Sequence, residues 1–264
     1  MNEIMKLTML LFVSLLLFWG CKTHSQNTSN EPKTVAIDTI PFILGSDNGI
    51  HLKGTINDSE PLDFLFDTGA NAIVITSSLI GNKVTMELDG QTENNGADGI
   101  TTIPTSSSNN INISDLIWQD ATIISIPYQR PNFDAVLGWT AFEDKIVEID
   151  YDTKKLIIHD SLVSIPKGFV KLETKHEANL YYVKGLVDVD NTQTTGWLEY
   201  DTGSNGNLLL SQHYATNHNL NNKMERIALS TSVGSAGISW KSDRSILPSF
   251  KIGGFELQNI PIDI

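Results

Sequence analysis

From Ile40 to the end of the chain, apolar and polar residues alternate in short runs that break at glycine, asparagine and aspartate. GIHLKGTI, LDFLF, NAIVIT, KIVEIDY and KLIIHD are clear cases, and period-two runs bounded by turn formers predict strands. Helical spacing is scarce. Only Ser211 to Leu220 and Trp139 to Lys145 read as helices. The pattern therefore predicts an all-β body. A separate signal precedes it. Leu7 to Trp19 is apolar except for Thr8 and Ser14, and Lys6 stands before it. This run is short for a membrane span of about 20 residues and has the form of a secretory leader.

The strands repeat. The stretch from Ile50 through Ile80 lines up with Tyr181 through Tyr214. Lys53-Gly54 falls on Lys184-Gly185, Asp67-Thr68-Gly69 on Asp201-Thr202-Gly203, Gly99-Ile100 on Gly237-Ile238, and Gln119 on Gln258. The offset drifts upward slowly, as small loop insertions produce. The chain thus reads as two copies of a unit of about 110 residues, meeting between Ser161 and Gly168.

Composition narrows the function. The chain has 264 residues, 40% hydrophobic and 19% charged, which is enough for a buried core. Its 18 Lys and Arg against 31 Asp and Glu give a net charge of −13. That balance argues against nucleic acid as a partner and against a basic membrane-binding patch. A single cysteine, Cys21, excludes an internal disulfide and a cysteine zinc site. His24, His51, His159, His176, His213 and His218 show no metal-binding spacing, so no metal is expected. Asp188 and Asp190 lack the pattern of a calcium loop and read as a polar hairpin turn. No phosphate loop and no Gly-x-Ser-x-Gly elbow is present.

The chemistry concentrates in the repeated Asp-Thr-Gly. In copy one it follows Phe64-Leu65-Phe66 and precedes Ala70; in copy two it follows Trp197 to Tyr200 and precedes Ser204. Each loop joins two hydrophobic strands, so each carboxylate is held rigidly and partly out of water. Gly69 and Gly203 permit a tight turn and close backbone approach. Two carboxylates held together resist double ionisation and share a proton. The Ser204 hydroxyl is placed to donate to Asp201, so Asp201 is expected to be the ionised partner and Asp67 the protonated one. Glu199, where copy one has Leu65, opposes this if it faces the pair. Its alternative is an outward or lysine-paired position.

These motifs resemble the aspartic peptidases of the pepsin and retropepsin type, and more closely the bacterial two-lobed aspartyl protease family proteins. Ala135-Val136-Leu137-Gly138 looks like the family's hydrophobic-hydrophobic-Gly strand, and the segment from Trp139 to Asp160 like its closing helix and strands. The resemblance covers about residues 40 to 264. It implies two retropepsin-like lobes, residues 37–162 and 163–264, after a signal peptide at 1–20 and a tether at 21–36. It implies Asp67 and Asp201 as catalytic groups, with Thr68, Gly69, Ala70, Thr202, Gly203 and Ser204 supporting them. Hairpins carrying Gly96, Gly99, Ile100, Gly237 and Trp240 would close over a polypeptide substrate. No cofactor is implied. Gly20-Cys21 resembles a lipobox, which implies lipidation at Cys21 and an exported protein anchored in the cell envelope; with both aspartates in one chain, a monomer is expected.

Copy two ends at Ile264, near the place of Ser125, without equivalents of Ala135 to Asp160. Three accounts follow: a truncated sequence, a lobe that tolerates the loss, or a non-catalytic form. The strand-like ending LQNIPIDI favours truncation. Two rivals therefore stand beside the peptidase. One is an inactive peptide-binding lipoprotein. The other is a retropepsin-like dimer built on copy one.

Overall fold

Strands Leu62–Asp67 (β4), Ile73–Thr76 (β5) and Ala135–Gly138 (β9) carry the unbroken apolar runs Phe64–Phe66, Ile73–Ile75 and Ala135–Leu137 because these are covered on both faces. In a computed structural model, which describes residues 36–161 and 167–264, all three lie side by side. β9 sits between the other two, parallel to β4 and antiparallel to β5. Ile50–Ile56 (β3) pairs with β4, and Leu116–Ile126 (β8) runs parallel to β5. Gly99–Ile113 (β7) pairs with β8 and also returns to β3, which closes six strands into a ring. Ile43–Leu44 (β2) and Gly90–Gly96 (β6) extend the sheet to eight strands. Ile50, Leu52, Phe64, Phe66, Ile75, Ile111 and Leu137 fill the interior and are essentially inaccessible to water. A smaller cluster of Leu65, Val74, Ile103, Ile126 and Val136 lies on the other face.

Ala36–Pro41 (β1), Ile146–Asp150 (β10) and Lys155–His159 (β11) form a separate three-stranded sheet with β11 in the centre. The closing strands expected between Trp139 and Asp160 are therefore present. The helix expected at Trp139 to Lys145 is only a single 3-10 turn, Trp139–Phe142.

The C-terminal half repeats the arrangement. Thr174–Glu177 (β12), Leu180–Val189 (β13), Thr192–Glu199 (β14), Leu208–Leu209 (β15), Arg226–Val233 (β16), Ser239–Ile252 (β17) and Phe255–Asp263 (β18) form one seven-stranded sheet. β13 and β14 are joined through Asp190 and Asn191, both at positive φ, which is the backbone of a two-residue hairpin turn. The polar turn expected at Asp188 to Asp190 is thereby found. β15 pairs in parallel with β18, as β5 does with β8. The half has its own core around Val187, Val189, Leu210, Leu220, Leu247, Phe250 and Ile262. The helix expected at Ser211 to Leu220 is shortened to Gln212–Asn217 (α1). The Ser211 hydroxyl caps its start, and Asn219, at φ 56°, turns the chain out of helical geometry beyond it.

The described residues are nearly all β and form one compact unit. Cys21, the leader, the tether up to residue 35 and part of the junction between the copies, residues 162–166, lie outside them.

Candidate active site

β4 delivers Asp67 at its last residue, and β14 delivers Asp201 two residues past its end. The loops that follow are bonded to each other reciprocally. The Thr68 amide donates to Thr202 Oγ1 at 3.1 Å, and the Thr202 amide donates to Thr68 Oγ1 at 3.0 Å. Each hydroxyl then donates onward: Thr68 Oγ1 to the Tyr200 carbonyl at 2.7 Å, Thr202 Oγ1 to the Phe66 carbonyl at 2.9 Å. A threonine hydroxyl can accept and donate at once, which is what this pattern uses.

The glycines are required by the same closeness. A Cβ on Gly203 would stand 2.3 Å from Asp67 Cγ, and one on Gly69 would stand 2.7 Å from Asp201 Cγ. Each carboxyl group thus lies over the opposite loop's glycine. The backbone amides of Gly69 and Gly203 each donate at 2.8 Å to the aspartate of their own loop. Gly138, which pairs with Asp67, has no room for a side chain either: a Cβ there would lie 2.4 Å from the Ala72 carbonyl oxygen. The Ala70 carbonyl accepts from the Trp139 amide at 2.9 Å, which ties the first loop to the end of β9.

The electrostatics are unequal. Burial, reinforced by the Asp201 carboxyl beside it, pushes Asp67 up to about 7. One proton is therefore retained on the pair to near neutrality. The expected cause of this asymmetry is corrected in part. Ser204 reaches Asp201 through its backbone amide, at 3.0 Å, and not through its hydroxyl, which accepts from the Gly206 amide. Glu199 is not paired with a lysine among the described residues. Its carboxyl is raised by burial and by Asp201, and it contributes to the rise at Asp67.

Gly96 and Gly99 pair across the tip of the β6–β7 hairpin, with Gly99 at φ 140°. Gly237, at φ 79°, lies in the turn between β16 and β17, and Trp240 is half-buried on β17. The tips meet. Asp98 accepts from the amides of Gly234 at 3.1 Å, Ala236 at 2.9 Å and Ile238 at 2.7 Å. Burial opposes charge on Asp98, but these amides outweigh it and hold the carboxyl below the usual range. Asn94 Nδ2 donates to Ser235 Oγ at 3.0 Å. Ile100 and Ile238 are left exposed.

Sequence reasoning did not single out Asp98, Asn94, Ser235 or Tyr128. Tyr128 packs edge-on against Phe133, and burial together with the charges of Asp67 and Asp98 drives its phenol upward. Trp139 reaches the other copy: its indole donates to the Asn179 carbonyl at 3.0 Å and its ring meets Tyr181 edge-on. His51 and His159 have carboxylate partners, Asp47 and Asp63 for the first and Glu148 for the second.

An all-β chain with an Asp-Thr-Gly loop beside a buried Val-Leu-Gly strand has the fold of an acid protease. Residues 52–141 match the family model described as aspartyl protease, a span that carries Asp67 and β9. The chain therefore contains an aspartic-protease-like domain. No curated protein matches it.

Proposed function

We propose that the protein is an aspartic endopeptidase with one intramolecular dyad, Asp67 and Asp201, set between two retropepsin-like lobes. The observation that carries this reading is the reciprocal Thr68–Thr202 bonding, which ties the two aspartate loops of a single chain together. Both carboxyl groups then flank one point. A water held there is activated by Asp201 as general base. Asp67, protonated to near neutrality, donates a hydrogen bond to the scissile carbonyl and stabilises the charge that develops on its oxygen. The proton count balances: the water's proton passes to Asp201 and on to the leaving amine. The substrate is an extended polypeptide lying beneath the two hairpins. No cofactor takes part. The protein is exported as a monomer and is anchored to the cell envelope through Cys21.

One observation favours the non-catalytic, peptide-binding alternative: Glu199 brings a third carboxyl close to the pair, where the first copy has Leu65. Peptidase activity of the chain from residue 22 to 264, assayed on a mixed peptide library from pH 3 to 8, separates the two. Cleavage abolished by Asp67→Asn and by Asp201→Asn, and blocked by a statine-type analogue, is the expected result. Cleavage restored on mixing the two variants would instead favour the dimer. A folded chain without cleavage would favour the binding protein.

A further inference from the structure

The two hairpins are bonded to each other at their tips. Asp98 sits in the turn between Gly96 and Gly99, and both of its carboxylate oxygens accept from one turn of the second copy, through the amides of Gly234, Ala236 and Ile238. That turn is closed by the Gly237 amide, which donates to the Gly234 carbonyl at 3.2 Å. Asn94 and Ser235 add a second tie: the side-chain amide of Asn94 donates to Ser235 Oγ at 3.0 Å, and the Ser235 hydroxyl faces Asn94 Oδ1 at 3.2 Å. The fit leaves no spare room. A Cβ on Gly96 would stand 2.5 Å from Ser235 Oγ, and one on Gly99 would stand 3.2 Å from Ile238 Cδ1.

Tyr128 places this contact across from the aspartates. It packs in one apolar cluster with Ala70, which follows the Asp67 loop, and with Ile103, on the stem of the first hairpin. Its phenol feels the charges of both Asp67 and Asp98. The two copies are therefore joined twice around one space, through Thr68 and Thr202 on one side and through the hairpin tips on the other. An internal stretch of a polypeptide enters such a space only if the tips part. Little else holds them. β6 pairs only with β7 and β16 only with β17 among the described strands, and most of their residues are exposed. A hairpin so placed opens readily once its tip is released. The tip bonds themselves are of the strong, charge-assisted kind.

We propose that Asp98 is a latch that ties the two hairpins into a single lid, and that its release limits the rate at which a polypeptide reaches Asp67 and Asp201. The acceptor is one side chain of the first copy and all three donors are main chain of the second, so one substitution unties the lid without touching either core. The bonds re-form once an extended strand is seated, so the latch slows departure as it slows entry. Both rates then change together and affinity changes little. The latch does not depend on the peptidase reading; the entry that it controls does.

Two measurements on the full chain test it. For the first, spin labels are attached at Ile100→Cys and Ile238→Cys, exposed positions on the two tips, with Cys21→Ser removing the only other thiol. Pulsed electron paramagnetic resonance should give one short, narrow distance with Asp98. It should give an added longer distance with Asp98→Asn, which keeps the shape and removes the charge. For the second, uptake of a fluorescent statine-type analogue is followed by stopped flow. The wild-type rate should level off as analogue concentration rises, as entry behind an opening step requires. Asp98→Asn exchanges charged bonds for weaker neutral ones, so it should raise that plateau at least about tenfold, and dissociation should quicken in step. Loss of a merely structural contact would not speed uptake. The proposal is overturned if the labels report the same distances in both chains, or if the tips separate and uptake keeps its wild-type rate. Separated tips in the variant, together with a folded wild-type chain that takes up no analogue, retain the latch and count against the peptidase reading alone.

Discussion

Replacing Thr68 by valine keeps the shape of the side chain and removes one hydroxyl. Two hydrogen bonds go with it: the one donated to the Tyr200 carbonyl and the one accepted from the Thr202 amide. At about 1 kcal/mol net for each, the loss is about 2 kcal/mol, and the stranded amide and carbonyl add to it where water cannot reach them. In a protein of this size that lowers Tm by about 4–8 °C. Thr68→Ser retains the hydroxyl and should cost less than about 1 kcal/mol. Thr202→Val removes the other two bonds, those shared with the Thr68 amide and the Phe66 carbonyl. The four bonds are distinct, so simple addition gives about 4 kcal/mol for the double variant. The loops are held only jointly, however. Once one hydroxyl is gone, part of the second's alignment is gone already, and the double variant should fall short of the sum by at least about 0.5 kcal/mol. Urea unfolding followed by the fluorescence of Trp139, which spans the two copies, measures all four proteins. Equal losses for serine and valine at position 68 would refute the argument, because the hydroxyl would then carry none of the energy.

Asp67→Asn should stabilise the fold increasingly as pH rises from about 4 to 7 while abolishing cleavage. Asp67 titrates near 7 when folded against 3.8 otherwise, so across that interval the unfolded chain has released a proton that the native state still holds, and wild-type stability falls as pH rises. Parallel denaturation curves at pH 4 and pH 7 check the sign. Gly203→Ala puts a Cβ into the Asp67 carboxyl and should reduce kcat/KM about 100-fold or more, measured on any cleaved peptide. Asp98→Ala removes the acceptor for three amides of the second hairpin, so hydrogen exchange at Gly234, Ala236 and Ile238 should accelerate while exchange in β4 and β9 stays unchanged.

The strands were legible because alternation and continuous apolar runs are local properties, and β5, β9 and the Asp190 turn follow from a handful of neighbouring residues. The pairing of Asp67 with Asp201 was legible for a different reason: the repeat puts the same loop at matching places, and the resemblance to aspartic peptidases implies that the two loops meet. What escaped notice is bonded over long separations without repeating. Asp98 reads as an ordinary turn aspartate, since its three donors are 136 to 140 residues away. Trp139 reads as a core residue for the same reason, with Asn179 and Tyr181 invisible from its own neighbourhood. The expectation for Ser204 had the correct partner and the wrong donor. A serine carries both an amide and a hydroxyl, and the loop turns the amide inward. Shortening of the helix expected at Ser211 to Leu220 depended on one left-handed asparagine, a backbone state that composition does not specify.

The bonds that align the two aspartates each join residues 132 to 136 positions apart. During synthesis, then, the first copy can complete its ring and core well before Thr202 exists. The carboxyl pair cannot assemble until the second copy has been made and has folded against the first. Closure of so long a loop comes late, after the local hairpins. A nascent chain therefore carries Asp67 alone, a single acid without its partner. On the peptidase reading, cleavage is withheld until that moment by chain connectivity itself.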